Sequence, residues 1–408
     1  MEWLIFLRNY WLYFRRKYSK IYRKEKELSV MNRAIKYRIY PTTEQKIMFA
    51  KTFGCCRKVY NLMLADKIEG YKATGKFPTV TPAKYKKDYP YLKEVDSLAL
   101  ANKQMDLQAA FRNRFSKSRK KNNSFPKFKS AKHSRKAYTT NNQKGTVAIM
   151  DDKYIKLPKI GKVKAVIHRV PDGNWIVKSA TVSQESDGKY YISMLFEFDN
   201  TVNTYIADKT NAIGLDYVSD GLYMDSNGNV GTNHKYYRES HNKLAKAQRK
   251  LSCMQGSKKH EDKSNNYIKQ LRRVNKIHRH IANQRLDNLH KISTEIANQY
   301  DVVCMETLNM HSISNKGFGN GKATMDNGYG MFLTMLEYKL ADRGKYFVKV
   351  DKWFPSSQIC SKCGSIHKEM KDLSIRIIKC ECGFTINRDK NAAINIKNEG
   401  LRMLKSAS

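Results

Sequence analysis

The residues between 354 and 396 decide the fold of the C-terminal part of this chain. Three segments carry the pattern: FPSSQICSKCG (354–364), KCECGF (379–384) and NRDKNAAINI (387–396). The first two segments hold four cysteines in two short pairs: Cys360, Cys363, Cys380 and Cys382. Two such pairs, here separated by 16 residues, are typical of a four-thiolate zinc ribbon, and the glycine after each pair permits a tight turn. We therefore predict one structural Zn²⁺ with a closed shell of four thiolates.

The chain is strongly basic. Its 408 residues include 77 Lys and Arg against 37 Asp and Glu, a formal net charge of +40. Because 41% of the residues are apolar, the chain can form buried cores and is not a disordered basic tail. The charge favours a polyanionic partner, with nucleic acid as the first candidate and an anionic membrane surface as the second. We find neither an apolar stretch of about 20 residues nor a secretory signal, and the clustered cysteines indicate a reducing compartment, so we expect a cytoplasmic protein.

Three carboxylates stand out from their surroundings. Asp216 lies in an apolar strand pattern, Glu306 ends another, and Asp389 lies in the NRDKNAAINI segment. A carboxylate in an apolar strand is costly to bury unless it is paired or binds a metal. Two interpretations are open: a pocket for two Mg²⁺ ions suited to phosphodiester hydrolysis, or ordinary salt bridges with the abundant Lys and Arg.

Local patterns predict a mixed α+β chain. A strand over 33–40 is followed by basic helices over about 45–135, and strands return between 145 and 200, so the first strand can join the later ones with the helices as an insertion. A hairpin follows at 212–229, then two helices over 235–300 broken near Gly256. A strand at 302–305, a helix at 331–340 and a strand at 346–350 precede the cysteines.

These residues resemble the TnpB family of RNA-guided DNA endonucleases encoded by bacterial and archaeal insertion sequences. The matching segments in the second half are GLDYVSDGLY (214–223), VCMETLNM (303–310) and the three already quoted; in the first half they are YRIYPTTEQ (37–45), GCCRKVYN (54–61), SFPKFKS (124–130) and YTTNNQ (138–143). The resemblance implies a RuvC-like nuclease of the RNase H fold, with Asp216, Glu306 and Asp389 as the Mg²⁺-binding catalytic triad. It also implies a guide RNA, a double-stranded DNA target next to a short adjacent motif, a separate transposase from the same element, and a monomer.

The resemblance further implies a domain order. Residues 31–45 and 140–205 would form a wedge β-barrel, and 46–139 a helical recognition insertion. Residues 206–355 and 386–400 would form the nuclease domain with a helical insertion at about 235–300, and 356–385 the zinc ribbon. Residues 1–30 would be a basic N-terminal extension, which matches nothing in the family pattern and favours an extended reading frame, and 401–408 a tail.

Some polar residues are weaker candidates for nucleic-acid contact. After the basic linker lie Tyr138, Thr140, Asn141 and Gln143, which suit reading of DNA near the adjacent motif. Between the first two catalytic segments lie Arg285, His290 and Lys291, which either face the active-site groove or are ordinary helix-surface charges. The Gly-rich segment 315–321 is either a lid over the active site or a flexible loop.

Two other functions remain open at this point. A guide-RNA-binding transcriptional repressor with the same architecture would be expected to lack at least one acid of the triad, and all three acids are present. A transposase that joins DNA strands itself is the other alternative, although no tyrosine nucleophile motif with paired histidines is apparent. Asn387 stands where many members of the family have aspartate, but Asp389 matches the catalytic position.

Overall fold

The structure is a computed structural model that describes residues 30–115, 125–171, 173–199, 205–232, 234–258, 262–308 and 326–406. These residues form two compact units, an N-terminal unit (30–199) and a C-terminal unit (205–406). Both contain helices and sheets, so the predicted mixed α+β class is confirmed. None of the described helices is long and apolar enough to span a membrane.

The N-terminal unit contains a seven-stranded antiparallel sheet. Its strands are β1 (Val30–Tyr40), β2 (Lys136–Asn141), β3 (Ala148–Met150), β4 (Tyr154–Leu157), β5 (Gly161–Val166), β6 (Ile176–Gln184) and β7 (Tyr190–Asp199). Their order is β2-β6-β7-β1-β5-β4-β3, so the first strand pairs with two strands that follow it by more than 120 residues. The strand predicted over 33–40 is confirmed, and its alternate residues Ile35, Tyr37 and Ile39 are all buried.

Two helices of this unit lie between β1 and β2 in the chain: α1 (Thr43–Thr74) and α2 (Ser97–Phe115). Helix α1 begins with a capping box in which Thr42 accepts a hydrogen bond from the Gln45 N–H and Gln45 accepts one from the Thr42 N–H. Its buried ring of Phe53 packs on Tyr138 of β2, with ring centroids 5.8 Å apart. The core of the unit therefore lies between α1 and one face of the sheet.

The C-terminal unit is built on a four-stranded sheet. Its strands are β8 (Ala212–Tyr217), β9 (Tyr223–Asp225), β10 (Val302–Glu306) and β11 (Tyr346–Val350). The order is β11-β10-β8-β9, with β8, β10 and β11 parallel and β9 antiparallel to β8 as the predicted hairpin. Parallel strands place their carboxyl ends at one edge of a sheet, where ligands bind in open sheets.

Helices cover both faces of this sheet. The helices of this unit are α3 (Tyr236–Ser252), α4 (Asn265–Gln299), α5 (Tyr329–Asp342) and α6 (Arg388–Ser406), and of these α3 packs against α4. Val303 and Met305 of β10 pack in a cluster with α4 and α5, whereas Val302 and Cys304 pack in a second cluster with α6. The near-continuous apolar pattern of β10 follows from this burial on both faces. The predicted break near Gly256 is confirmed by the end of α3 and the start of α4.

Candidate active site and metal centre

Two of the three predicted catalytic acids lie at the carboxyl edge of the C-terminal sheet. Strands β8 and β10 are adjacent and pair Leu215 with Met305, so Asp216 and Glu306 follow on neighbouring strands. The next strand, β11, pairs Val350 with Glu306, and Asp351 comes directly after it. The parallel register therefore brings these carboxylates to the same edge.

Helix α6 brings the third acid to this edge. Asp389 is the second residue of α6, and the Asn387 side chain accepts hydrogen bonds from the N–H groups of Asp389 and Lys390. Four residues further along α6, the helix touches β8 backbone to backbone: a Cβ at Gly214 would lie 2.1 Å from the Ala393 carbonyl oxygen. Only glycine permits this approach, which fixes the first turn of α6 beside the end of β8.

The electrostatics show that the acids act on each other. Burial, followed by the charges of Glu306 and Asp389, raises the pKa of Asp216 well above its usual value. Burial and the charge of Asp351 raise the pKa of Glu306 to about 7. Within the described residues neither Asp216 nor Glu306 forms an ion pair within 4 Å, whereas Asp389 Oδ1 lies 3.7 Å from Arg376 Nη1. This arrangement disfavours the salt-bridge interpretation for Asp216 and Glu306.

The carboxylate oxygens suit a hard cation. Mg²⁺ prefers oxygen ligands, and partly buried carboxylates that form no ion pair within 4 Å gain from a compensating positive charge. Among the described residues, the group of three or more potential ligands whose atoms lie within 4.8 Å of one another is the cysteine tetrad and not the acids. The three carboxylates are thus near each other but spaced more widely than a single ion requires.

The tetrad is the predicted metal centre. The Sγ atoms of Cys360 and Cys382 lie 3.9 Å apart and those of Cys363 and Cys380 lie 3.5 Å apart. All four lie within 4.8 Å of one another, a spacing that fits one tetrahedral zinc. Hydrogen bonds from Ser365 lower the pKa of Cys363 to about 6, which favours the thiolate that binds metal.

The turns after both cysteine pairs are also as predicted. Gly364 and Gly383 have φ angles of 85° and 78°, in the left-handed region that favours glycine. Their N–H groups donate to the carbonyl oxygens of Cys360 and Cys380, at 2.9 Å in each case. These two turns bring the two pairs to one centre.

The cysteine segment is fixed to α6, the helix that carries Asp389, by two asparagines that the sequence did not single out. Asn391, fully buried in α6, donates to the Ile359 carbonyl at 2.7 Å and accepts from the Ser361 N–H at 2.9 Å. Asn395, one turn later, also donates to the Ile359 carbonyl. The signal in the sequence is the spacing of two asparagines by four residues, which puts both on one face of a helix.

The burial of two residues contradicts their predicted role in reading DNA. Tyr138 and Thr140 point into the core of the N-terminal unit, with 2% and 0% of their surfaces exposed. The Thr140 hydroxyl donates to Asp96, which caps α2. Strand β2 places alternate residues on its buried face, so these two side chains are not available to a base edge. Asn141 is half-buried and Gln143 is exposed, and both stay predictions.

The three predicted nucleic-acid-binding residues of α4 also lie in different environments. Arg285 lines a pocket with Asp326 and Asn327, and Asn327 donates to the Ser219 carbonyl in the loop after β8. His290 and Lys291 lie on the exposed face of α4, where Lys291 pairs with Asp287 at 2.7 Å. Partial burial and the Lys339 ammonium lower the pKa of His290. Arg285 therefore lines a pocket together with a residue that contacts the loop after Asp216.

Other predicted segments lie outside the described residues. The Gly-rich segment 315–321 is among them, as is the extension at 1–29. The sequence did not point to two polar groups near the acids: Asp351, which comes directly after strand β11, and Tyr329, on which the charges of Asp216 and Glu306 act. The position of Asp351 directly after an apolar strand was the signal that could have identified it.

The fold and the site together define a class of protein: a mixed α+β fold with four cysteines placed to hold one metal ion. The chain aligns with the structure titled "Cryo-EM structure of the Cas12f1-sgRNA-target DNA complex" with a TM-score of 0.54 and 14% identity, covering 90% of this chain and 99% of that chain. Family models match residues 329–396 ("Cas12f1-like, TNB domain"), 31–76 ("Helix-turn-helix domain") and 194–316 ("Probable transposase"). The second of these spans strand β1 and the single long helix α1.

Two curated relatives match over nearly their whole length. A protein of Streptomyces pristinaespiralis described as "Putative RNA-guided DNA endonuclease" is 32% identical over 390 residues, covering 91% of this chain and 90% of the relative. One of Escherichia coli K12, described as "Putative RNA-guided DNA endonuclease InsQ", is 29% identical over 393 residues, covering 91% and 93%. The chain belongs to the TnpB family, also called OrfB of IS605-type elements.

Proposed function

We propose that this chain is an RNA-guided DNA endonuclease of an IS605-type insertion sequence, with Asp216, Glu306 and Asp389 as its catalytic acids. The observation that carries the proposal is the convergence of these acids at one edge of the C-terminal sheet, where Asp216 and Glu306 have no ion pair among the described residues. The descriptions of both full-length relatives name the same activity.

The proposed chemistry is Mg²⁺-dependent hydrolysis of a phosphodiester. Bound Mg²⁺ supplies an activated water and stabilises the leaving oxygen. The chain contributes the geometry: β8 and β10 fix Asp216 and Glu306, and α6 fixes Asp389. Because water is partly excluded there, the carboxylates hold their charge at a cost that a divalent cation offsets.

We assign the units as the family resemblance implies. Residues 206–355 and 386–400 act as a RuvC-like nuclease domain, and 356–385 as its zinc ribbon. Residues 31–45 and 140–205 act as the wedge domain, with the recognition insertion at 46–139. The parallel β8, β10 and β11 with helices on both faces support the first assignment. The central position of β1 among later strands supports the second.

The outer face of the N-terminal sheet supports nucleic acid as the partner. Arg38 lies over the rings of Tyr40 and Tyr191, with its guanidinium carbon 4.9 and 5.7 Å from their centroids. Lys164 pairs with Tyr40 across β1 and β5, and Lys36 lies over Tyr191 at 4.6 Å. Basic groups interleaved with aromatic rings suit a phosphate backbone and stacked bases. We assign guide RNA and double-stranded target DNA as the partners of a monomer.

The test is cleavage of a plasmid bearing the adjacent motif, by protein co-expressed with its element's RNA. We expect cleavage that requires both guide RNA and Mg²⁺, and loss of cleavage with retained RNA binding for Asp216→Ala. Glu337→Ala is the matched control, because the Glu337 carboxylate lies on the surface paired with Lys349. Unchanged cleavage by Asp216→Ala would refute the site. RNA binding without cleavage by the wild type would favour the repressor alternative, and guide-independent strand joining the transposase.

The zinc assignment has its own test. Metal analysis of the purified wild type should find about one Zn²⁺ per chain, and Cys363→Ser should lose it. Cys253→Ser is the matched control, because Cys253 is exposed and lies outside the tetrad. A well-folded wild type without zinc would refute the assignment.

A further inference from the structure

Tyr329 is a buried phenol beside the carboxylate cluster. It is the first residue of α5 and follows Gly328, whose φ of 62° lets the chain turn into the helix. Only 1% of the residue is exposed. Its ring meets Tyr217, the neighbour of Asp216, in an edge-to-face contact with centroids 4.8 Å apart, and it also packs on Phe332. The ring is thus held rigidly on the side of β8 that faces α5.

The hydroxyl of Tyr329 is the unusual part of this residue. It is fully buried and has no hydrogen-bond partner among the described residues. Burial and the charges of Asp216 and Glu306 raise the pKa of Tyr329 above its usual value, so the phenol lies close to both carboxylates. A buried hydroxyl normally has a hydrogen-bond partner, and leaving it without one costs stability. Phenylalanine would fill the same space without this unsatisfied hydroxyl.

The neighbouring Tyr223 shows the contrast. It packs in the same cluster and stacks on the same Phe332, with centroids 5.7 Å apart. Burial and the charges of Asp225 and Glu295 raise the pKa of Tyr223 to about 12, so its electrostatic neighbours are not the catalytic acids. Ring packing alone therefore does not explain a hydroxyl beside Asp216.

We propose that Tyr329 is a positioning residue for the metal site, whose hydroxyl donates a hydrogen bond to the carboxylate of Asp216 when the cluster holds its divalent cations. The inference rests on the proposed function. The hydroxyl has no hydrogen-bond partner among the described residues, and its ring packs against the neighbour of Asp216, so a small shift of the Asp216 carboxylate on cation binding brings the two groups into hydrogen-bond contact. Outer hydrogen bonds of this kind orient a metal ligand and typically change metal affinity or activity by about 10- to 100-fold.

The test compares Tyr329→Phe with Tyr223→Phe in the full-length chain, each removing one hydroxyl from the same cluster. Binding of Mn²⁺ is measured by electron paramagnetic resonance without nucleic acid, together with the melting temperature in chelator and guide-dependent cleavage at varied Mg²⁺. We expect Tyr329→Phe to weaken Mn²⁺ binding about tenfold and to raise the half-saturating Mg²⁺ by a similar factor. Its melting temperature in chelator should be unchanged or higher. Tyr223→Phe should bind Mn²⁺ as the wild type does.

The outcomes separate this inference from the proposed function. Wild-type Mn²⁺ affinity in Tyr329→Phe, with Asp216→Ala losing both binding and cleavage, overturns the positioning role alone. Equal weakening in both tyrosine variants also overturns it, because the effect would then be general to the core. Cleavage that survives Asp216→Ala overturns the proposed site, and the positioning role falls with it.

Discussion

Glu306→Gln tests whether the fold holds its carboxylate cluster at a cost to stability. The variant keeps the shape of the side chain and removes its charge, so it should abolish cleavage. In the metal-free protein, however, it should raise the stability of the C-terminal unit, because burial and Asp351 disfavour the ionised form of Glu306. Loss of activity with a gain in stability is the pattern expected for a strained functional site.

The magnitude follows from the pKa. A rise from 4.5 to about 7 would correspond to about 3 kcal/mol against ionisation at neutral pH. Glu306 is only half-buried and water screens its charge, so we expect about 1–2 kcal/mol. In the unfolded chain Glu306 ionises above its usual pKa of 4.5, whereas in the folded chain it ionises only near pH 7. The gain from Glu306→Gln is therefore near zero below pH 4.5, grows between 4.5 and 7, and is complete above 7.

The assay is thermal unfolding in chelator that spares zinc, at pH 5 and at pH 8. At pH 8 the melting temperature of Glu306→Gln should exceed that of the wild type by about 2–8 °C, and at pH 5 by much less. Adding Mg²⁺ should stabilise the wild type and not the variant, which narrows or reverses the difference. Glu337→Gln is the control and should be neutral or slightly destabilising, since it breaks an exposed pair with Lys349. A variant that is less stable at pH 8, or equally stabilised at both pH values, would refute the reasoning.

Three further predictions concern other contacts of the site and the core. Gly214→Ala should lower the melting temperature by at least about 4 °C and impair cleavage, because its Cβ would collide with a backbone oxygen of α6. A melting temperature equal to that of the wild type would contradict the packing described. Arg376→Ala should lower the Mg²⁺ concentration needed for half-maximal cleavage, because the ion pair of Arg376 with Asp389 competes with the cation. The change should be at most about fivefold, because Arg376 is largely exposed and the pair is weak. A higher Mg²⁺ requirement would contradict this reasoning. Thr140→Val should destabilise the protein by about 1–3 kcal/mol through its lost bond to Asp96 and leave the adjacent-motif preference unchanged when cleavage of a randomised motif library is sequenced.

Features fixed by short spacing could be predicted from the sequence. The cysteine tetrad needs only two local pairs and a turn after each, and both are present as expected. The break between α3 and α4 and the hairpin of β8 and β9 also follow from local patterns. Features that depend on the pairing of distant strands were less predictable from the sequence. Asp351 reaches Glu306 only because β11 pairs in parallel with β10.

The polar segment YTTNNQ shows how context can mislead. It follows a basic linker and is rich in hydrogen-bonding side chains, which favours an exposed DNA-reading surface. As strand β2, however, it alternates, and its pairing with β6 turns Tyr138 and Thr140 inward. The residue types alone do not tell which face of a strand will be covered, since that depends on the helix packed against it.

The contacts of α6 couple the cysteine segment mechanically to the helix that carries Asp389. Asn391 fixes the first cysteine turn to the helix, and Arg388 donates from its side chain to the Asp372 carbonyl and from its backbone to the Arg376 carbonyl, both within the ribbon. Asp389 lies between these two anchors. A zinc-free ribbon would loosen both sides of this turn, because structural zinc supplies folding free energy to such a small element. Loss of zinc should therefore weaken divalent-cation binding at Asp389 as well as local stability.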